Sequence, residues 1–250
     1  MLQAVPQTLG SLGGPLYFKA VDYPALRTLP IMRPLHSLAL SLMLMSGAFS
    51  TAAVAQDAKA GEGKASLCIG CHGIVGYQAS FPEIHKVPKI GGQNAQYIVA
   101  ALAAYKKGER LHPSMRGIAA TLSDQDMADL AAFYEAQGKG IAPVPAGAPQ
   151  QPPTPRVAEL LKKANCASCH GENFSSPISP AYPKIAGQHA DYLYVALKAY
   201  QTDGNPQVGR KNPIMGGMAR QYTHAELKEL AAYIGSLPGA LSTVPQSSFR

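Results

Sequence analysis

The sequence predicts an all-α protein built as a tandem pair of similar units, and three observations carry that prediction. The pentapeptide Cys68-Ile69-Gly70-Cys71-His72 returns ninety-eight positions later as Cys166-Ala167-Ser168-Cys169-His170. Around both copies, apolar residues recur three and four apart, as on one face of a helix. No stretch alternates polar and apolar residues convincingly enough for a strand.

The spacing of the pentapeptide has a chemical reason. All four cysteines of the 250-residue chain lie inside its two copies. Two cysteines three apart on a helix share one face, about one turn from each other, so both sulfurs reach the same edge of a flat ring. The histidine that follows then stands over the ring, where its imidazole takes one axial position on a central iron. C-x-x-C-H therefore reads as c-type haem attachment. A four-sulfur zinc site leaves the repeated histidine unexplained, and a thioredoxin-like redox pair needs a βαβ surround that is missing here. The expectation is two covalently bound c-type haems, held by Cys68, Cys71, Cys166 and Cys169, with His72 and His170 as iron ligands.

The chain before the first unit reads as a leader. From Met32 it runs Met-Arg-Pro-Leu-His, then an apolar stretch from Leu38 to Phe49, then Ala53-Val54-Ala55, a small-x-small cleavage site. That is a secretory signal pattern with cleavage after Ala55. The stretch of twelve residues is shorter than the about 20 that a spanning helix needs. Residues 1–55 are expected to be non-mature, the signal proper being 32–55 and Met32 the true start. Export implies a periplasmic protein. The composition, 46% hydrophobic with no Trp, is that of a soluble globular chain. The formal charge of +7 falls to +5 once the three basic and one acidic residues of the leader are removed. So mild an excess suits docking on an acidic protein and is no nucleic-acid footprint.

Residues 56–140 and 156–250 are the expected domains. Between them lies a semi-rigid linker at 141–155, with six prolines in fifteen residues. Units this small have little core of their own, and a covalently held haem supplies much of the apolar interior. Pro88-Lys89-Ile90-Gly91-Gly92-Gln93 corresponds to Pro183-Lys184-Ile185-Ala186-Gly187-Gln188. A helix follows in each copy, with Tyr97, Ile98, Leu102 and Tyr105, then Tyr192, Leu193, Leu197 and Tyr200, at helical spacing. These tyrosines are expected mainly to pack in the core, and the helices to stop at Gly108 and Gly204. A last helix begins at Ser123 and at Thr223, the second with a full capping box. It buries Met127, Leu130, Ala131 and Tyr134 in one unit, and Leu227, Leu230, Ala231 and Ile234 in the other.

The other side of each iron decides the function. Before each closing helix lies a Met-bearing loop, Pro113-Ser114-Met115 and Pro213-Ile214-Met215. Met115 precedes Ser123 by eight residues and Met215 precedes Thr223 by eight, so the registers agree. Met218 has Ile118 opposite it, and His112 has no repeated counterpart, so Met115 and Met215 are the expected ligands. His85, His189 and His224 also lack counterparts and are taken as surface or structural residues. A thioether is a soft, neutral ligand that favours ferrous iron and raises the reduction potential. With His and Met both bound, neither iron has an open position for oxygen or peroxide.

The order of C-x-x-C-H, Pro-Lys-Ile-x-Gly-Gln, Tyr-bearing helix, Met segment and capped helix, all duplicated over residues 57–237, resembles the dihaem class I cytochromes c of the cytochrome c4 family. The resemblance implies two tandem cytochrome c domains, each a few helices wrapped around a covalently bound haem, with propionate edges meeting near a pseudo-twofold interface. It also implies that the carbonyls of Pro88 and Pro183 accept a hydrogen bond from the ligating histidines. The function implied is a periplasmic electron carrier, not an enzyme, between respiratory donors such as a bc1-type complex and a terminal oxidase or reductase, with loose association at a membrane surface. A cytochrome subunit of a dehydrogenase complex is the alternative reading, and a dihaem peroxidase a more distant one. The Pro-rich linker makes the contact between the two halves the open structural question.

Overall fold

The structure, a computed structural model, describes residues 55–139 and 151–245. The expected signal sequence, up to residue 54, and most of the expected linker, residues 141–150, lie outside the described residues.

The helix that enters the first C-x-x-C-H is in two pieces. Helix α1 (Ala58–Lys64) is capped by the Asp57 carboxylate, which accepts from the N–H groups of Lys59 and Ala60. After Ala65 the chain continues as α2 (Ser66–His72). Helices α3 (Ala95–Lys107), α4 (Pro113–Ala120) and α5 (Asp124–Ala136) complete this half. The second half repeats the order with α6 (Pro155–Lys163), α7 (Ala167–His170), α8 (Ala190–Gln201), α9 (Pro213–Ala219) and α10 (His224–Ser236). Pro155, counted to the linker from composition, is the first residue of α6, where its missing N–H costs nothing. The break before α7 is wider than its counterpart, with Asn165 at φ 47.

The expected Met-bearing loops are short helices. Pro113 and Pro213 occupy the first turn, and the cap residues His112 and Asn212 accept from the N–H groups of Met115 (3.5 Å) and Met215 (3.0 Å). Both closing helices start with complete capping boxes: Asp126 reaches back to the Ser123 N–H as Glu226 does to the Thr223 N–H. The shorter Asp serves as well as Glu. Gly108 closes α3 in the left-handed conformation, as expected. Helix α8 ends earlier than predicted, because Thr202 turns extended at ψ 120 before Gly204 is reached.

The core sits between the closing helix and the helices that cross it. Met127, Leu130, Ala131 and Tyr134, and Leu227, Leu230, Ala231 and Ile234, are all buried, so the predicted face of each closing helix is the observed one. Ile69, Ile98 and Leu122 join the first core, and Leu160, Tyr222 and Leu193 line the second. Helix α1 crosses α5 at Gly61, where a Cβ would stand 2.1 Å from the Asp129 carbonyl oxygen.

Two-residue strands also occur, too short for any alternation to show in the sequence. β1 (Gln78–Ala79) pairs with β2 (His85–Lys86), forming a hairpin between His72 and Pro88. β3 (Arg110–Leu111) and β4 (Gly209–Arg210) pair antiparallel across the two halves, with Arg110 opposite Arg210. Both halves belong to one compact unit, Ala52–Arg250.

Candidate haem sites and the contact between them

Each C-x-x-C-H closes a short helix, which puts two thiols and an imidazole within one turn. The four cysteines are unpaired, and among the described residues no three His, Cys, Asp or Glu gather as a metal cluster. Cys68 and Cys166 are half-buried, and burial pushes both thiols up, so they are neutral near pH 7.

The imidazoles are oriented by backbone carbonyls. His72 Nδ1–H donates to the Pro88 carbonyl at 2.9 Å, and His170 Nδ1–H donates to the Pro183 carbonyl at 3.0 Å. A carbonyl can only accept, so the proton is on Nδ1 and the Nε2 lone pair is left for a metal. Burial lowers the proton affinity of both rings, which keeps them neutral. Apolar side chains stand exposed beside both motifs, Leu67, Ile74 and Val75 in one half and Ile178, whose N–H donates to the Cys169 carbonyl, in the other; Ile214 is exposed next to Met215. Two thiols, a neutral imidazole with a free Nε2 and flanking apolar surface together fit a covalently held haem. Met115 and Met215 are half-buried on α4 and α9, while Met218 lies exposed further along α9.

The non-repeated histidines have structural places. His85 is buried, bonded to the Glu83 carbonyl and stacked on Tyr192 with centroids 6.3 Å apart. His112 caps α4, and His189 is the residue before α8, its side chain making no cap bond and its N–H donating to Gln188 Oε1. His224 is exposed at the start of α10.

Sequence reasoning missed two pairs of residues. The first is Arg110 and Arg210, which lie side by side where the halves meet. Arg110 donates to Tyr97 Oη (3.1 Å) and stands over the rings of Tyr97 and Tyr105. Arg210 donates to Tyr192 Oη (3.0 Å) and stands over Tyr192 and Tyr200. These four tyrosines thus form a half-buried cage for two guanidinium groups instead of packing into the apolar core. Among the described residues no carboxylate pairs with either arginine, and two adjacent cations call for anions such as haem propionates. Burial would push the Tyr97 phenol up, but the two guanidinium charges carry it below its ordinary value. Burial prevails at Tyr192, pushed up to about 12. Each arginine precedes its methionine by five residues, and that repetition was the signal available in the sequence.

The second pair is Gln93 and Gln188, the last residues of the repeated Pro-Lys-Ile-x-Gly-Gln. Each crosses to the other half and clasps the lysine backbone there. Gln188 accepts from Lys89 N–H (2.9 Å) and donates to the Lys89 carbonyl (2.9 Å); Gln93 does the same at Lys184 (3.0 and 2.9 Å). Lys89 Nζ reaches the Gly187 carbonyl and Lys184 Nζ the Gly92 carbonyl, both at 2.7 Å. This contact is self-complementary, as a twofold axis requires, and answers the question left by the linker: the halves are bonded to each other through the two Pro-Lys-Ile-x-Gly-Gln segments, whose proline carbonyls accept from His72 and His170.

The cytochrome c family model matches residues 58–137 and again 154–238. Cytochrome c4 of Stutzerimonas stutzeri is 31% identical over 208 residues, covering 79% of this chain and 97% of that protein. The thiosulfate dehydrogenase electron acceptor of Stutzerimonas stutzeri strain A1501 is 30% identical, over 69% of this chain and 80% of the relative. Among solved structures, reduced recombinant cytochrome c4 from Pseudomonas stutzeri superposes with a TM-score of 0.53 at 29% identity, covering 74% of this chain and all of that one.

Proposed function

Because the chain belongs to the cytochrome c family, in its dihaem cytochrome c4 branch, and so carries two covalently bound c-type haems, we propose that it is a periplasmic carrier passing single electrons from a respiratory donor to a terminal oxidase or reductase. Dihaem electron transfer itself comes with the family. The haem irons supply the one-electron couple when bound.

The protein's part is to attach, orient and enclose. Cys68 and Cys71 hold one haem and Cys166 and Cys169 the other. His72 with Met115, and His170 with Met215, would ligate the two irons, and Pro88 and Pro183 fix the imidazoles through their carbonyls. Arg110 and Arg210 would receive the carboxylates of the bound haems. The observation that carries this reading is the pair of matched Nδ1–H bonds, which leave one imidazole Nε2 free in each half. A His/Met pair on each iron would leave it without a position for substrate. Carbon monoxide added to the reduced holoprotein is therefore expected not to bind on mixing; rapid binding would overturn the Met115 and Met215 assignments and favour a peroxidase.

A second reading has its own observation in the similarity to a thiosulfate dehydrogenase electron acceptor. In that reading the chain docks on a periplasmic dehydrogenase and accepts its electrons. Size-exclusion of the native complex separates the two: the carrier elutes alone, whereas a subunit elutes with its dehydrogenase.

A further inference from the structure

The two buried glutamines do more than hold the halves together, because of which peptide groups they hold. The carbonyl of the Pro88–Lys89 peptide group accepts from His72 Nδ1–H at 2.9 Å, and the N–H of the same group donates to Gln188 Oε1 at 2.9 Å. The mirrored set joins His170 to Gln93 through the Pro183–Lys184 peptide group, at 3.0 Å for each bond. Each Oε1 also accepts from the next backbone N–H in its own half, Asn94 or His189, at 3.0 Å. A flipped amide would set an NH2 group against two donors, so the orientation of both glutamines is determined.

A peptide group polarises as a unit. An acceptor placed on its N–H makes its oxygen a better acceptor, by roughly 10–30% per bond. A stronger bond from Nδ1–H makes Nε2 a more basic ligand, and a more basic ligand favours ferric iron. We propose that Gln93 and Gln188 are positioning residues that act crosswise, each setting the orientation and ligand strength of the axial histidine in the other half. Docking of one domain thereby adjusts the electron affinity of the other domain's haem. This rests on His72 and His170 being axial ligands, as proposed above.

The test uses the reduced holoprotein with 15N-labelled histidine, reading the two Nδ1–H signals by NMR, together with a redox titration. Gln188→Leu is expected to shift the His72 Nδ1–H signal, speed its exchange with solvent and raise the potential of the first-half haem, while the His170 signal stays in place. Gln93→Leu is expected to do the converse. Gln188→Glu keeps an acceptor for the Lys89 N–H and charges it, so the His72 signal moves in the opposite direction. Should the Leu variants not fold, the Glu variant carries the test alone. A shift confined to the histidine of the mutated half, an equal shift at both, or a shift at neither overturns the proposal. Wild-type protein in which His72 and His170 lack the ring shifts of haem ligands refutes the axial assignment by itself, before any variant is made.

Discussion

The two halves of the chain repeat the elements proposed to hold haem closely and their scaffolding loosely. In both, an imidazole donates to a proline carbonyl, an arginine sits in a pair of tyrosines five residues before a methionine, and a capping box starts the closing helix. The supports differ. In the first half α1 lies so close to α5 that only glycine fits at position 61, and Lys64 pairs with Asp126 and Asp129 at 2.8 and 2.6 Å. In the second half the corresponding position is Glu159, which is exposed, and α6 packs Leu160 against Leu227 and Leu230 of α10 with an Arg156–Glu226 pair at its edge. The segment between histidine and proline differs as well. In the first half it is the longer, and its hairpin grips α8 through Glu83–Lys198 and Lys86–Asp191 pairs. What repeats is what the haem and the interface need, and what diverges is packing that several arrangements satisfy.

The largest expected effect tests the repeated part. Met115→Ala and Met215→Ala should each leave both haems attached, open one iron and lower one potential, a large shift within the roughly 0.8 V that axial ligands command. Equal behaviour of the two variants is the outcome of a true repeat, and a redox titration with two unchanged potentials would refute the choice of ligand. Next in size is the diverged part. Gly61→Ala forces a methyl group into the Asp129 backbone and should cost about 1–3 kcal/mol in denaturant unfolding, while Glu159→Ala at the matching exposed site should stay within about 0.5 kcal/mol. Similar losses at the two positions would show that the halves are supported alike after all.

The smallest effect concerns the hairpin that, among the described residues, occurs in the first half alone. Glu83→Gln removes a half-exposed ion pair and should cost about 0.2–1 kcal/mol, less at high salt. Asp191 gives the matching pH dependence. Burial alone would raise its carboxyl, but N–H bonds from Lys86 and Tyr192 and the Lys86 ammonium hold it below the ordinary 3.8. A lowered folded-state value means that its stabilisation is complete above 3.8 and is lost as the pH falls through the lowered value. Thermal melts in acid should show that loss in the wild type and not in Asp191→Asn.

How much of this was legible in the sequence follows from the range of the forces involved. Local rules located the starts of the closing helices to the residue, because a capping box and a four-residue apolar period are decided within two turns. The haem motifs and the methionine register were readable because repetition converts a weak local signal into a specific one. The methionine helices read as loops in the sequence because a Pro-started helix of seven or eight residues has too short a period to recognise. The break at Ala65 and the early end of α8 depend on tertiary packing, which single-chain periodicity does not contain. Arg110, Arg210, Gln93 and Gln188 were visible as repeats, but their roles needed the second half in place, since each acts at the contact between the halves. Residues 1–54 and 141–150, where the leader and most of the linker were expected, lie outside the described residues.

The most direct measurement on the central claim is a potentiometric titration of the holoprotein followed by optical spectra. Two closed irons in one docked pair give two one-electron steps, each with the low-spin spectrum of His/Met ligation in both oxidation states. A high-spin component in either state, or a single haem in the count, would contradict it.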